Sequence, residues 1–143
     1  MHWTIKPSIG ICLVSFLFSV NATGEEPQAP TKQERGQLEG TWDIIYENNP
    51  APRLREVKII NQTHFMWVTY VRASGIPVLL GGGTYTFDGK TYKEFYEFGS
   101  RGIPQDFIGK EQVFTAELKG DIWIHRGKTT NGFNVDEMWK RVK

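Results

Sequence analysis

The side chains in this sequence that could do chemistry are few and widely spaced. Glu94, His125 and Glu137 sit in segments where polar and apolar residues alternate, in company with Tyr46, Tyr85, Tyr92 and Tyr96 and the indoles of Trp67 and Trp123. If the alternation turns them all to one interior, two chemistries are open. Aromatic walls with several convergent hydrogen-bonding tips are the usual make-up of a small-molecule site. A histidine that meets Glu94 or Glu137 gives an acid/base pair suited to an isomerase or hydratase, provided the two come within hydrogen-bond reach. The alternative is that these groups satisfy one another in a packed interior, as they do in many small β-barrels. An inward carboxylate is costly without a partner, so Glu94 and Glu137 each call for a cation, a water or a ligand.

Other chemistries find no residues. The histidines are His2, His64 and His125, without metal-ligand spacing, so neither a metal site nor a cofactor is expected. Gly-x-Ser-x-Gly is absent. Gly81, Gly82 and Gly83 lead into a strand and not a helix, and they read as a bend or bulge, not a phosphate cradle. Asn61-Gln62-Thr63 is a formal glycosylation acceptor in a short turn. An enzyme is the lesser of the functional readings.

The elements that must position these residues are strands. Apolar residues recur with period two and turn residues interrupt them, predicting strands near 41–47, 54–60, 64–71, 83–87, 90–98, 111–118, 121–126 and 133–142. The connections alternate in length: "NNPAPR", "RASGIPVLLGG", "GSRGIPQDFIGK" and "GKTTNG" are long, whereas "NQT", "DG" and "KG" are short. In an up-and-down meander alternate connections share an end, so the long ones rim one mouth and the short ones close the other. The fold expected is an all-β, up-and-down antiparallel barrel of about eight strands.

"LEGTW" at 38–42 opens this folded part and "EMWKRV" at 137–142 ends it. Gly40-Thr41-Trp42 on a first strand with Arg141 on the last resembles the signature of the lipocalin and calycin group. The resemblance implies that Trp42 closes the barrel floor and that the Arg141 guanidinium packs over its indole. "GGTYTFDGKTYKEFYEFGS" with "EMWKRV" also resembles secreted bacterial lipocalin-like domains of unsettled function.

With Trp42 and Arg141 as inward anchors, parity assigns the faces. Ile44 and Tyr46 point in with Trp42; Phe133, Val135, Glu137 and Trp139 point in with Arg141. Two-residue turns at Asp88-Gly89 and Lys119-Gly120 place Tyr85 opposite Tyr92 and Ala116 opposite Trp123. One face then holds Tyr85, Phe87, Tyr92, Glu94, Tyr96 and Phe98, and another Phe114, Ala116, Leu118, Trp123 and His125. In "HFMWVTYV" we take Phe65 and Trp67 as inward. The expected ligand-binding set is Tyr46, Trp67, Tyr85, Tyr92, Glu94, Tyr96, Trp123, His125 and Glu137.

Residues 1–22 carry one cation, Lys6, an apolar run and Val20-Asn21-Ala22, the pattern of a cleaved signal peptide. Residues 23–37, "TGEEPQAPTKQERGQ", read as a solvated leader, leaving a single domain at 38–143. Cleavage removes the only cysteine, Cys12, and one of 17 cations, so 16 remain against 16 anions. This neutrality disfavours nucleic acid and a polybasic membrane anchor. "SGIPVLLGG" and "RGIPQDFIG" place apolar residues in the expected loops 72–82 and 99–110, as a lid or as a contact for a protein partner. The function expected is that of a secreted or periplasmic barrel binding a small, largely apolar molecule. The alternatives are a solid barrel whose loops dock a protein, and a small barrel enzyme.

Overall fold

The computed structural model describes residues 36–46 and 52–143. The expected signal peptide and all but the end of the leader lie outside them. Eight strands, β1 (Gly40–Ile45), β2 (Leu54–Ile60), β3 (His64–Val71), β4 (Pro77–Phe87), β5 (Thr91–Gly99), β6 (Glu111–Lys119), β7 (Ile122–Lys128) and β8 (Asn134–Arg141), follow one another around a closed barrel. Every pairing is antiparallel, and β8 returns to β1 with Trp42 opposite Arg141. The connections after β2, β4 and β6 are tight and lie at the end where β1 begins; those after β1, β3, β5 and β7 lie at the other end. A short 3-10 turn, Gln105–Phe107, interrupts the β5–β6 connection.

The alternation in each strand drives this closure, because one side of every strand carries side chains that must leave water. Phe65, Phe87, Tyr92, Phe114, Trp123 and Trp139 fill the interior and are almost completely buried. Closing the sheet also removes the open strand edges that would pair with other chains. Asp88 sets the β4–β5 turn, its Oδ1 accepting from the N–H groups of Lys90 (2.9 Å) and Thr91 (2.6 Å) while Gly89 takes φ 92°.

The structure corrects four expectations. The two hairpin registers are each offset by two residues: Phe87 opposes Tyr92, and Leu118 opposes Trp123. An even offset leaves every side chain on its expected face. The strand expected at 83–87 begins at Pro77, so Val78, Leu79 and Leu80 belong to β4 and the loop expected over 72–82 ends at Ile76. Phe98 points outward and is 45% exposed, because a bulge pairs Gly83 with Tyr96 but Gly82 with Phe98 and reverses the parity of β5 beyond it. A Cβ on Gly83 would lie 2.0 Å from the Phe95 carbonyl oxygen, so the bulge needs glycine there. Phe133 precedes β8 and is 67% exposed; it belongs to a turn in which Thr129 and Phe133 exchange backbone and hydroxyl hydrogen bonds.

Candidate functional site

At the closed end the chain runs in under its own last strand. Leu38 and Trp42 are fully buried, and the Trp42 indole N–H donates to the Leu38 carbonyl at 2.8 Å. The Arg141 guanidinium lies 4.1 Å from the centre of the Trp42 ring and donates to the carbonyls of Gln37 (2.7 Å) and Glu39. Gly40 permits this approach: it holds φ 135°, and a Cβ there would lie 2.7 Å from the guanidinium. A flat cation over an indole, with donors spent on carbonyls, seals the floor.

Above the floor stands a residue that the sequence reading did not place inside. Lys58 on β2, only 3% exposed, ion-pairs with Glu94 on β5 at 2.8 Å. Its ammonium is enclosed by the rings of Trp139 (4.9 Å), Trp123 (5.2 Å), Tyr92 (5.7 Å) and Phe65 (5.9 Å). Burial works against the Lys58 charge, but Glu94, Glu137 and Glu56 more than offset it, so its pKa is raised. The lower barrel is thus filled by an ammonium that the protein supplies to its own aromatic box.

His125 and Glu137 face each other across β7 and β8, and Nδ1 stands 3.0 Å from Glu137 Oε2. The same oxygen accepts from the Trp139 indole at 3.1 Å. Burial alone would raise the Glu137 carboxyl, but the His125 hydrogen bond, the Lys58 charge and the Trp139 N–H bring it down to about 2. A carboxylate only accepts, so the Nδ1–H donates to Glu137, leaving Nε2 on the far side of the ring. That atom is buried without a hydrogen-bond partner among the described residues, as are Tyr92 Oη and Trp123 Nε1. His125 stacks on Trp123 (centroids 5.2 Å) and meets the Phe114 ring at 4.2 Å, so the acid/base geometry is present but closed off from solvent.

Towards the mouth the inward side chains are less completely buried. The Glu137 side chain is 30% exposed, and Glu56 and Trp67 are half-buried. Glu56, inward on β2, accepts from Thr69 Oγ1 at 3.1 Å. Its carboxyl is raised by burial and by the nearby Glu137 charge, against the pull of Lys58. Trp67 donates its indole N–H to Tyr96 Oη at 2.9 Å, and the two rings meet above Gly81, where a Cβ would lie 3.0 Å from Tyr96. Phe107 packs on Tyr96 at 5.7 Å and joins the core edge with Ile108, so part of the 99–110 loop folds inward as a cover. Gln112, 1% exposed, holds the β7–β8 connection over the interior through a two-way exchange with Thr130 (3.0 and 2.8 Å).

The expected site residues therefore divide. Tyr92, Trp123 and His125 belong to the packed middle, with Glu94 as the partner of Lys58. Tyr85 is buried below, its hydroxyl bonded to the Asn61 carbonyl at 2.8 Å. Trp67, Tyr96 and Glu137 reach the mouth half, and Tyr46 stands half-buried at the rim, its pKa raised by burial and then by the charges of Glu56 and Glu137. Lys58, Glu56, Thr69 and Gln112 were missed. Gln112 shares parity with Phe114 and Ala116, a usable signal. "LREVKII" offers no such signal, with apolar residues on both parities.

No protein-family model matches the chain, and no curated protein matches it. The resemblance to the calycin group stands at the level of architecture, to which the closed eight-strand antiparallel barrel conforms.

Proposed function

We propose that this protein is an exported lipocalin-like barrel that binds a small molecule with a largely apolar body in the mouth half of its interior. The observation that carries the reading is the pairing of an aromatic wall, half-buried Trp67 over buried Tyr96, with the inward carboxylates of Glu56 and Glu137 at an end that solvent reaches. An inward charge is costly to bury unless it is paired, and apolar walls with a few convergent polar groups are what a ligand site requires. The packed Lys58–Glu94 layer forms its floor and limits the ligand to a small one.

The test is Nile red, a neutral dye whose emission reports an apolar surrounding. Binding is expected to weaken in Trp67→Ala and Tyr96→Ala and to persist in Lys93→Ala, whose side chain lies outside in a 3.3 Å pair with Glu111. Equal affinity in all three variants puts the dye on the surface. That result refutes the interior site and favours the docking alternative, for which Ile76 (62% exposed) and Val78 (48%) remain apolar contacts near the rim.

A further inference from the structure

The charged groups of the interior are unbalanced in one direction: among the described residues, inward carboxylates outnumber the cations that meet them. Three carboxylates, Glu56, Glu94 and Glu137, face inward against one ammonium. Lys58 is committed to Glu94 by contact and walled in by four rings, so it cannot swing to the mouth. Among the described residues Glu56 receives one hydroxyl hydrogen bond, from Thr69, and no cation at contact distance. Glu137 receives His125 and Trp139 on Oε2, while Oε1 has no donor among the described residues. Arg72 stands at the rim with its Nε on the Pro52 carbonyl and makes no ion pair among the described residues.

From this we infer that the molecule bound in the mouth is a protonated amine with an apolar body. The inference rests on the proposed interior site and names its ligand class. An ammonium brings three donors and one positive charge, which Glu56 lacks at contact distance and for which Glu137 still offers Oε1. The hydrocarbon body lies against Trp67 and Tyr96, whose ring faces also favour a nearby cation. A neutral alcohol of the same shape offers one donor and no charge, and a carboxylate adds a like charge to a site that already holds two at its rim.

The experiment is calorimetric titration of the protein with three isosteric probes: phenethylammonium chloride, phenethyl alcohol and sodium 3-phenylpropanoate. The amine is expected to bind at least tenfold more tightly than the alcohol, with the acid weakest. Glu56→Gln is expected to cut the amine affinity by about tenfold or more and to leave the alcohol unchanged, as a lost charge-assisted contact requires. If Glu56→Gln does not fold, the ranking of the three probes on the unaltered protein decides alone. Alcohol and amine binding equally, the acid binding best, or amine affinity undiminished in a folded Glu56→Gln overturns the amine class. With Nile red still bound inside, any of these leaves the small-molecule site standing; if the dye fails as well, both readings fall.

Discussion

Lys58→Met is the substitution that tests the interior most directly. It replaces an ammonium 3% exposed by a side chain of similar length, keeping contact with the surrounding rings while leaving Glu94, 2% exposed, without its 2.8 Å partner. Removing one member of a buried ion pair costs about 3–5 kcal/mol, chiefly because the remaining charge is stranded. Methionine sulfur packs favourably against aromatic rings, so the loss of the cation–π contacts adds little to this. Against a typical total stability of about 5–15 kcal/mol, the variant is expected to be marginal, with a melting temperature lower by roughly 15–30 °C. Glu94→Gln alone strands Lys58 in the same way. The double variant leaves neither charge unpaired, so its cost is expected to fall short of the sum of the two by about 2–3 kcal/mol. Urea denaturation followed by tryptophan fluorescence reads all four proteins. A loss below about 1 kcal/mol for Lys58→Met, or strict additivity in the double variant, would show that the pair is solvated and that the lower barrel is not the closed layer described.

The remaining predictions concern the floor and the mouth. Arg141→Ala is expected to cost about 1–3 kcal/mol in the same denaturation assay, by removing the stack on Trp42 and the donors to Gln37 and Glu39; unchanged stability would separate barrel closure from this contact. The Glu137 carboxyl is depressed from 4.5 to about 2, so its contribution to stability is present above pH 4.5 and is lost as the pH falls toward 2. Glu137→Gln is therefore expected to flatten the acid limb of the stability profile in that window. Glu56 has the opposite sign: its raised carboxyl favours the protonated form, so its contribution is lost as the pH rises, and Glu56→Gln is expected to stabilise the protein at neutral pH.

How much was legible in the sequence follows from which errors β-structure forgives. Both hairpin registers differ from expectation by two residues, yet Tyr92, Glu94, Tyr96, Trp123 and His125 all point inward as parity requires. Side-chain direction has period two, so an even register error moves a residue along the barrel axis without turning it out. An odd event does turn it out. Phe98 is lost to the outside because one extra residue enters β5 at the bulge beside Gly83. The triple glycine marked that place, but not which strand would carry the extra residue. The β4 start was missed for a similar reason: Pro77 and the glycines look like loop chemistry, although proline is tolerated at the first residue of a strand.

Lys58 marks a deeper limit. β2 reads Leu54-Arg55-Glu56-Val57-Lys58-Ile59-Ile60, and either face can be called apolar until a neighbour fixes it. The neighbour is β1, where Trp42 pairs with Lys58, but a long connection separates the strands and leaves that register open to sequence reasoning. The inward face proves to be the charged one, while Val57 and the 46%-exposed Ile59 are turned outward. That choice is unfavourable for β2 taken alone and is resolved only across the barrel, where Glu94 and four aromatic rings receive the ammonium. Glu56 follows from the same parity two residues earlier, with no cation among the described residues at contact distance to receive it. The placement of Lys58 fixes where the protein neutralises its own interior charge and so where it does not, which is why the mouth half carries the functional argument.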